Sequence, residues 1–276
     1  MSFFSWPRNP KRCGVITSRL PQGHLRHRLT FRPRLEALED RWMPSTLTAH
    51  SVADLENYVG PYGIAQNGDT IVFDSSLKGQ TLYTSCPGSG CLGSIDIDIY
   101  KSVNIQGPGA ANLAISGGHG SRVFRVEAGS QVNISGLTIE NGNGSGGGFD
   151  PSAYDGLGGG ILNFGNLTLN GCVVTGNSVY AGGGYGEGGG IANEGTMTLS
   201  GCTVTNNSAV YGGGGISNDG RYAPGGISPA LTILNSTVTG NNSVYGAADL
   251  FSFLATCTEC GSKIGGSTGK IKHSKC

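Results

Sequence analysis

Two stretches of this sequence superimpose on each other at an offset of 30 residues. In the first, Gly160-Ile161-Leu162-Asn163 is followed by Leu167-Thr168-Leu169 and then Cys172-Val173-Val174-Thr175-Gly176-Asn177. In the second the same places hold Gly190-Ile191-Ala192-Asn193, Met197-Thr198-Leu199 and Cys202-Thr203-Val204-Thr205-Asn206-Asn207. A third block, Gly215-Ile216-Ser217-Asn218, Leu231-Thr232-Ile233 and Ser236-Thr237-Val238-Thr239-Gly240-Asn241, carries an insertion at 221–230. Each block holds three runs of about four residues, too short for helices and bounded by Gly or Asn. That is the signature of a coil with three strands and three turns. One such coil cannot bury its own apolar face. Stacked at about 4.8 Å, each strand pairs with its equivalents above and below, and equivalent residues form columns.

The expected fold is therefore all-β: a right-handed parallel β-helix, or β-solenoid. Ile161, Ile191 and Ile216 should form one inward column, Leu169, Leu199 and Ile233 another, and Val174, Val204 and Val238 a third. Leu137, Cys172, Cys202 and Ser236 share a further column, in which Cys172 and Cys202 act as small apolar groups or lie close enough to join. Two amide ladders are expected, Asn163-Asn193-Asn218 and Asn177-Asn207-Asn241. Asn tolerates turn dihedrals, and its amide both donates and accepts.

Upstream of the blocks, short strands are expected at 70–73, 80–83, 95–99, 103–105, 113–115, 123–126 and 132–134. Before them, Ser51 can cap a short helix over 51–59, with Asp54 in its first turn and Val52, Leu55 and Val59 on one face. That helix should cover the open end of the stack. Three regions follow: a basic arm at 1–45, the β-helix at 46–250, and a basic tail outside the repeat at 251–276.

Charge is distributed in the same way. The arm carries +6, the body −9 and the tail +3. An acidic body is a poor surface for nucleic acid. No apolar run is long enough for a transmembrane helix. The arm lacks the continuous apolar stretch of an ordinary signal peptide. Its segment from Arg34 through Leu35-Glu36-Ala37-Leu38-Glu39 to Ser45 resembles the LEPR-XLL-type element of large exported bacterial proteins, departing from it at Ala37 and at Trp42-Met43. The stretches Gly68–Asp74, Val103–Ala110, Val123-Phe124 and Ile134–Ile139 look like bacterial right-handed β-helix repeat proteins related to polymorphic outer-membrane proteins. Gly159-Gly160-Ile161 and Gly189-Gly190-Ile191 approximate that family's Gly-Gly-hydrophobic motif, whereas its Phe-x-x-Asn motif is absent. The resemblance implies an extracellular or cell-surface module with an adhesin-like or structural role, meeting a protein or polysaccharide surface. The sequence leaves its oligomeric state open.

The alternative is a β-helix that binds or cleaves carbohydrate. Such chemistry needs clustered acids and an Arg or Lys on neighbouring coils, often with Ca²⁺. The best candidate groove is Asp96 and Asp98 with His119, Arg122 and Arg125. Asp150, Asp155, Glu187 and Asp219 lie in Gly-rich loops where weak Ca²⁺ binding is conceivable, but none follows a Ca²⁺-loop spacing. Neither a catalytic set nor a cofactor is assigned. Cys86 and Cys91 flank a Pro-Gly turn suited to a disulfide. Cys257, Cys260, His273 and Cys276 have zinc-ligand types at nearly finger spacing, without the apolar residues such a finger packs.

Overall fold

The computed structural model describes residues 43–84, 96–144, 156–180, 186–253, 255–269 and 271–273. Nearly all of the basic arm, and the Cys86–Cys91 turn, lie outside them. The chain winds cyclically through three parallel sheets of nine, seven and seven strands. One complete coil runs Asn166–Asn170 in the first sheet, Val173–Thr175 in the second and Ile191–Asn193 in the third, then returns to the first at Thr196–Ser200. This is a parallel β-helix.

The register aligns equivalent residues on successive coils. Ile97, Phe124, Ile161, Ile191, Ile216 and Leu250 form one buried column. Ile134, Leu169, Leu199 and Ile233 form a second, and Ile139, Val174, Val204 and Val238 a third. Within each strand the residues between them point outward, following the two-residue period of a strand.

The two amide rows run along the inside of the corners. Asn163 Nδ2 donates to Asn193 Oδ1 at 2.7 Å, and Asn193 Nδ2 to Asn218 Oδ1 at 2.7 Å. In the second row Asn177 Nδ2 donates to Asn207 Oδ1 and Asn207 Nδ2 to Asn241 Oδ1, both at 2.9 Å. Asp249 ends this row, accepting from Asn241 Nδ2 at 2.8 Å and from Gly266 N at 2.7 Å. A carboxylate has no proton to pass on, so the pattern of repeated donation stops there. The ladder Asn residues are not the ones that turn the chain. In this second row left-handed backbone falls one residue before each Asn, at Gly176, Asn206 and Gly240 with φ of 66°, 56° and 74°. The ladder amides act through their side chains.

The helix forms at Val52–Val59. Ser51 Oγ accepts from Asp54 N at 3.1 Å while Asp54 Oδ2 accepts from His50 N at 2.8 Å, a reciprocal cap. Val52, Leu55 and Val59 are buried, and the helix packs on Ile97–Ile99, the first strand of the third sheet.

The assignment of 251–276 to a tail outside the repeat requires correction. Leu250–Phe253, Thr256–Cys260, Lys263–Ile264, Ser267–Thr268 and Ile271–His273 extend all three sheets. The register carries Leu231 onto Cys257 and Val238 onto Ile264. Cys257 supplies the apolar group at its place in the column, and strands of two residues carry no readable periodicity. The zinc reading fails on the same geometry. Cys257 is buried and free, whereas Cys260, three residues on and facing the opposite way, is disulfide-bonded. Among the described residues no helix is long and apolar enough to cross a membrane.

Candidate functional site

Ionisable groups gather on the outer face of the third sheet. Its outward column reads Asp98, Arg125, Leu162, Ala192, Ser217 and Phe251. In this column charge is confined to the first two coils and the covered Leu162 and Ala192 follow, while a second charged group stands in another column on later coils.

In the first group Arg122 is buried. Its Nη1 pairs with Asp96 Oδ2 at 2.5 Å, Nε donates to Gly158 O at 2.9 Å, and Nη2 to Leu157 O at 2.9 Å. It therefore clamps the next coil's turn. Arg125 pairs with Glu127 Oε1 at 2.8 Å and lies 5.9 Å over the Phe164 ring. Asp98 is pushed up to about 6 by burial, with Arg125 opposing, and its Oδ1 has no hydrogen-bond partner. Glu56, from the helix, is raised by burial and then by Asp98. Four of the five groove residues expected from the sequence therefore converge. His119 does not join them. It is exposed in a turn at φ 61°, held through its backbone to Asn141 O at 2.7 Å.

The second group was not recognised as a cluster in the sequence. The column that holds Phe164 on one coil holds Glu194 and Asp219 on the next two and Phe253 after them. Acids breaking an aromatic column were the available signal. Asp219 and Glu187 are both ion-paired with Arg221, the first residue of the 221–230 insertion, at 2.5 Å in the case of Glu187. Hydrogen bonding to Asp219 holds the Arg221 guanidinium still more firmly protonated. Tyr222 N donates to Glu194 Oε2 at 3.2 Å, while Glu194 Oε1 has no partner. Burial, then the charges of Asp219 and Glu187, push Glu194 up to about 8. Leu157, Leu162, Phe164, Ala192 and Tyr222 pack together as a small apolar cluster outside the main core. The insertion is thereby fastened over the sheet.

Glu187 and Asp219, considered above as calcium ligands, are thus paired with a guanidinium. Asp150 and Asp155 lie outside the described residues. Among the described residues no group of three or more His, Cys, Asp or Glu side chains is placed to hold a metal ion. Cys172 and Cys202 are buried free thiols whose Sγ atoms lie 3.5 Å from Ile134 O and 3.3 Å from Leu169 O. Their mutual hydrogen bond and burial hold Cys172 above the usual thiol range. On the first sheet the outer face is uncharged from Asn104 to Thr258 along its central column. A shallow polar groove of ≈ 400 Å³ there is lined in part by Asn104, Gln131 and Asn133.

No protein-family model, no curated protein and no solved structure matches this chain.

Proposed function

We propose that this chain is a rigid interaction module displayed outside the cell, an adhesin-like or structural β-helix that meets other surfaces through its sides. One observation carries the reading. The arginines that a catalytic groove would turn toward a substrate are committed to the fold: Arg122 to Asp96 and two carbonyls, Arg221 to Asp219 and Glu187. The carboxylates of the second group are buried beneath the insertion rather than open to solvent. A stack held in register by columns and amide rows presents its outer side chains at fixed spacing, which suits multivalent weak contact. Location outside the cell rests on the likeness to exported β-helix proteins described above.

Adsorption of the full chain to surfaces coated with a neutral glucan, polygalacturonate or gelatin, followed by quartz-crystal microbalance, tests the module reading. Saturable binding to at least one is expected, and binding to none sinks it. Fractionation of the source cells tests the location.

A second reading, polysaccharide cleavage, draws on one observation: Asp98 is half-buried with an unpartnered oxygen and a carboxyl held to about 6, the character of a general acid. Incubation with acidic polysaccharides, with and without Ca²⁺, decides it. New reducing or unsaturated ends that disappear in Asp98→Asn would favour cleavage over a pure binding role.

A further inference from the structure

We propose that the corner outside the Asn177–Asn207–Asn241 row is a docking strip for an uncharged linear polysaccharide, an inference that rests on the module reading above and names its partner. On three successive coils this corner carries Tyr180, Tyr211 and Tyr245, exposed to 60 %, 39 % and 73 %. The tyrosine recurs although its distance from the buried Asn changes, three residues after Asn177 but four after Asn207 and Asn241. Backbone pairing brings Tyr211 and Tyr245 into register, while Tyr180 stands one position earlier, opposite Val210. Ser178 bridges to Ser208, Ser208–Ala209 pairs with Asn242–Ser243, and Tyr245 N donates to Val210 O at 2.9 Å. The Tyr211 and Tyr245 rings stack with centroids 5.4 Å apart and planes at 26°. Immediately after them the two turns meet backbone to backbone, since a Cβ on Gly246 would stand 2.5 Å from Gly212 O. That close approach leaves no room for another side chain, and the rings stand on the solvent side.

An exposed aromatic row is unfavourable in water unless something covers it part of the time. Tyr, Ser, Asn and Gly make up this corner, and such a mixture gives rigid contact area together with adaptable hydrogen bonding. Between 176 and 186, 206 and 215, and 240 and 248 there is no Asp, Glu, Lys or Arg. A charged polymer would find no countercharge here. The C–H face of a sugar ring packs on an aromatic ring, while phenol and amide groups take its hydroxyls. Tyr211 and Tyr245 stand one rung apart along the stacking axis, about 4.8 Å, which suits an extended chain laid lengthwise. A protein partner needs roughly 800 Å² on each side, more than two tyrosines supply at ~150–250 Å² each. Tyr245 is the more exposed of the stacked pair, at 73 % against 39 % for Tyr211.

Affinity electrophoresis of the full chain in gels containing hydroxyethylcellulose, mannan or dextran, against polygalacturonate, tests the strip. At least one neutral polymer should retard the wild type more than polygalacturonate does. Tyr211→Ala/Tyr245→Ala should weaken that retardation at least tenfold with an unchanged urea midpoint, and Tyr245→Phe should keep it. Retardation that survives the double substitution, a preference for polygalacturonate, or no retardation by any neutral polymer overturns the inference. If the wild type still adsorbs to coated surfaces in those cases, the module reading stands without the strip. If it adsorbs to none, both fall.

Discussion

Replacing Asn207 by Ala tests whether the amide rows hold the coils together. Asn207 sits mid-row, buried, with four hydrogen bonds beyond its own turn. Its Nδ2 donates to Asn241 Oδ1 at 2.9 Å and Val174 O at 3.0 Å, and its Oδ1 accepts from Asn177 N at 3.0 Å and Asn177 Nδ2 at 2.9 Å. At about 1 kcal/mol net per bond, their loss costs ~4 kcal/mol, and the stranded Asn177 N–H adds ~1 kcal/mol or more of uncompensated desolvation. Asn207→Ala should therefore lower stability by about 5 kcal/mol, a large share of the ~5–15 kcal/mol typical of a domain. Asn166→Ala is the control. Asn166 is exposed on the first sheet's outer face, and its loss should stay within ~0.5 kcal/mol. Urea unfolding by circular dichroism reads the global term. Repeat stacks can unfold in parts, so amide exchange at Asn177 gives the local one. A difference between the two variants below about 1.5 kcal/mol, or an Asn177 amide still protected in Asn207→Ala, refutes the reasoning.

Three further outcomes are expected. Glu194 has its folded pKa raised to about 8 from the usual 4.5, so it binds its proton more tightly in the native state. Its contribution is complete below about 4.5 and disappears as pH rises through about 8. Urea midpoints of the wild type should fall across that window and those of Glu194→Gln should fall less; identical profiles would exclude the effect. Arg221→Ala leaves Asp219 and Glu187 buried without their cation. With the guanidinium side chain 38 % exposed, a loss of about 2 kcal/mol is expected rather than the ~3–5 kcal/mol of a fully buried pair, with faster proteolytic cutting inside 221–230. At Asn206, φ 56°, a change to Gly should be neutral, and a change to Val should cost ~1–2 kcal/mol, visible as a lower melting temperature.

The charged site was only partly legible in the sequence. Asp98 and Arg125 face each other because both are outward residues of strands one coil apart, which alternation and period place together. His119 stands three residues before Arg122, and spacing alone places it with the same set. The turn between them holds its backbone to Asn141 on the coil above, and its side chain takes no part. Glu194 and Arg221 are not legible as partners in the sequence because Arg221 opens an insertion that breaks the repeat, and a loop's direction is not written in periodicity. The strands beyond residue 250 were overlooked for a different reason. Lys263–Ile264 and Ser267–Thr268 are two residues long and borrow their order from the coil beneath.

By itself the sequence determined the coil: its period, its three strands, and which side chains point inward. Those follow from alternation along a strand and identity between coils, both local properties of the chain. Only the tertiary structure decided which outward groups are spent and which remain available. Arg122 is enclosed, Arg221 is held by two buried carboxylates, and Tyr245 is left exposed. That division depends on where turns and insertions fold back over the sheets, which is set by contacts between residues about thirty positions apart or more.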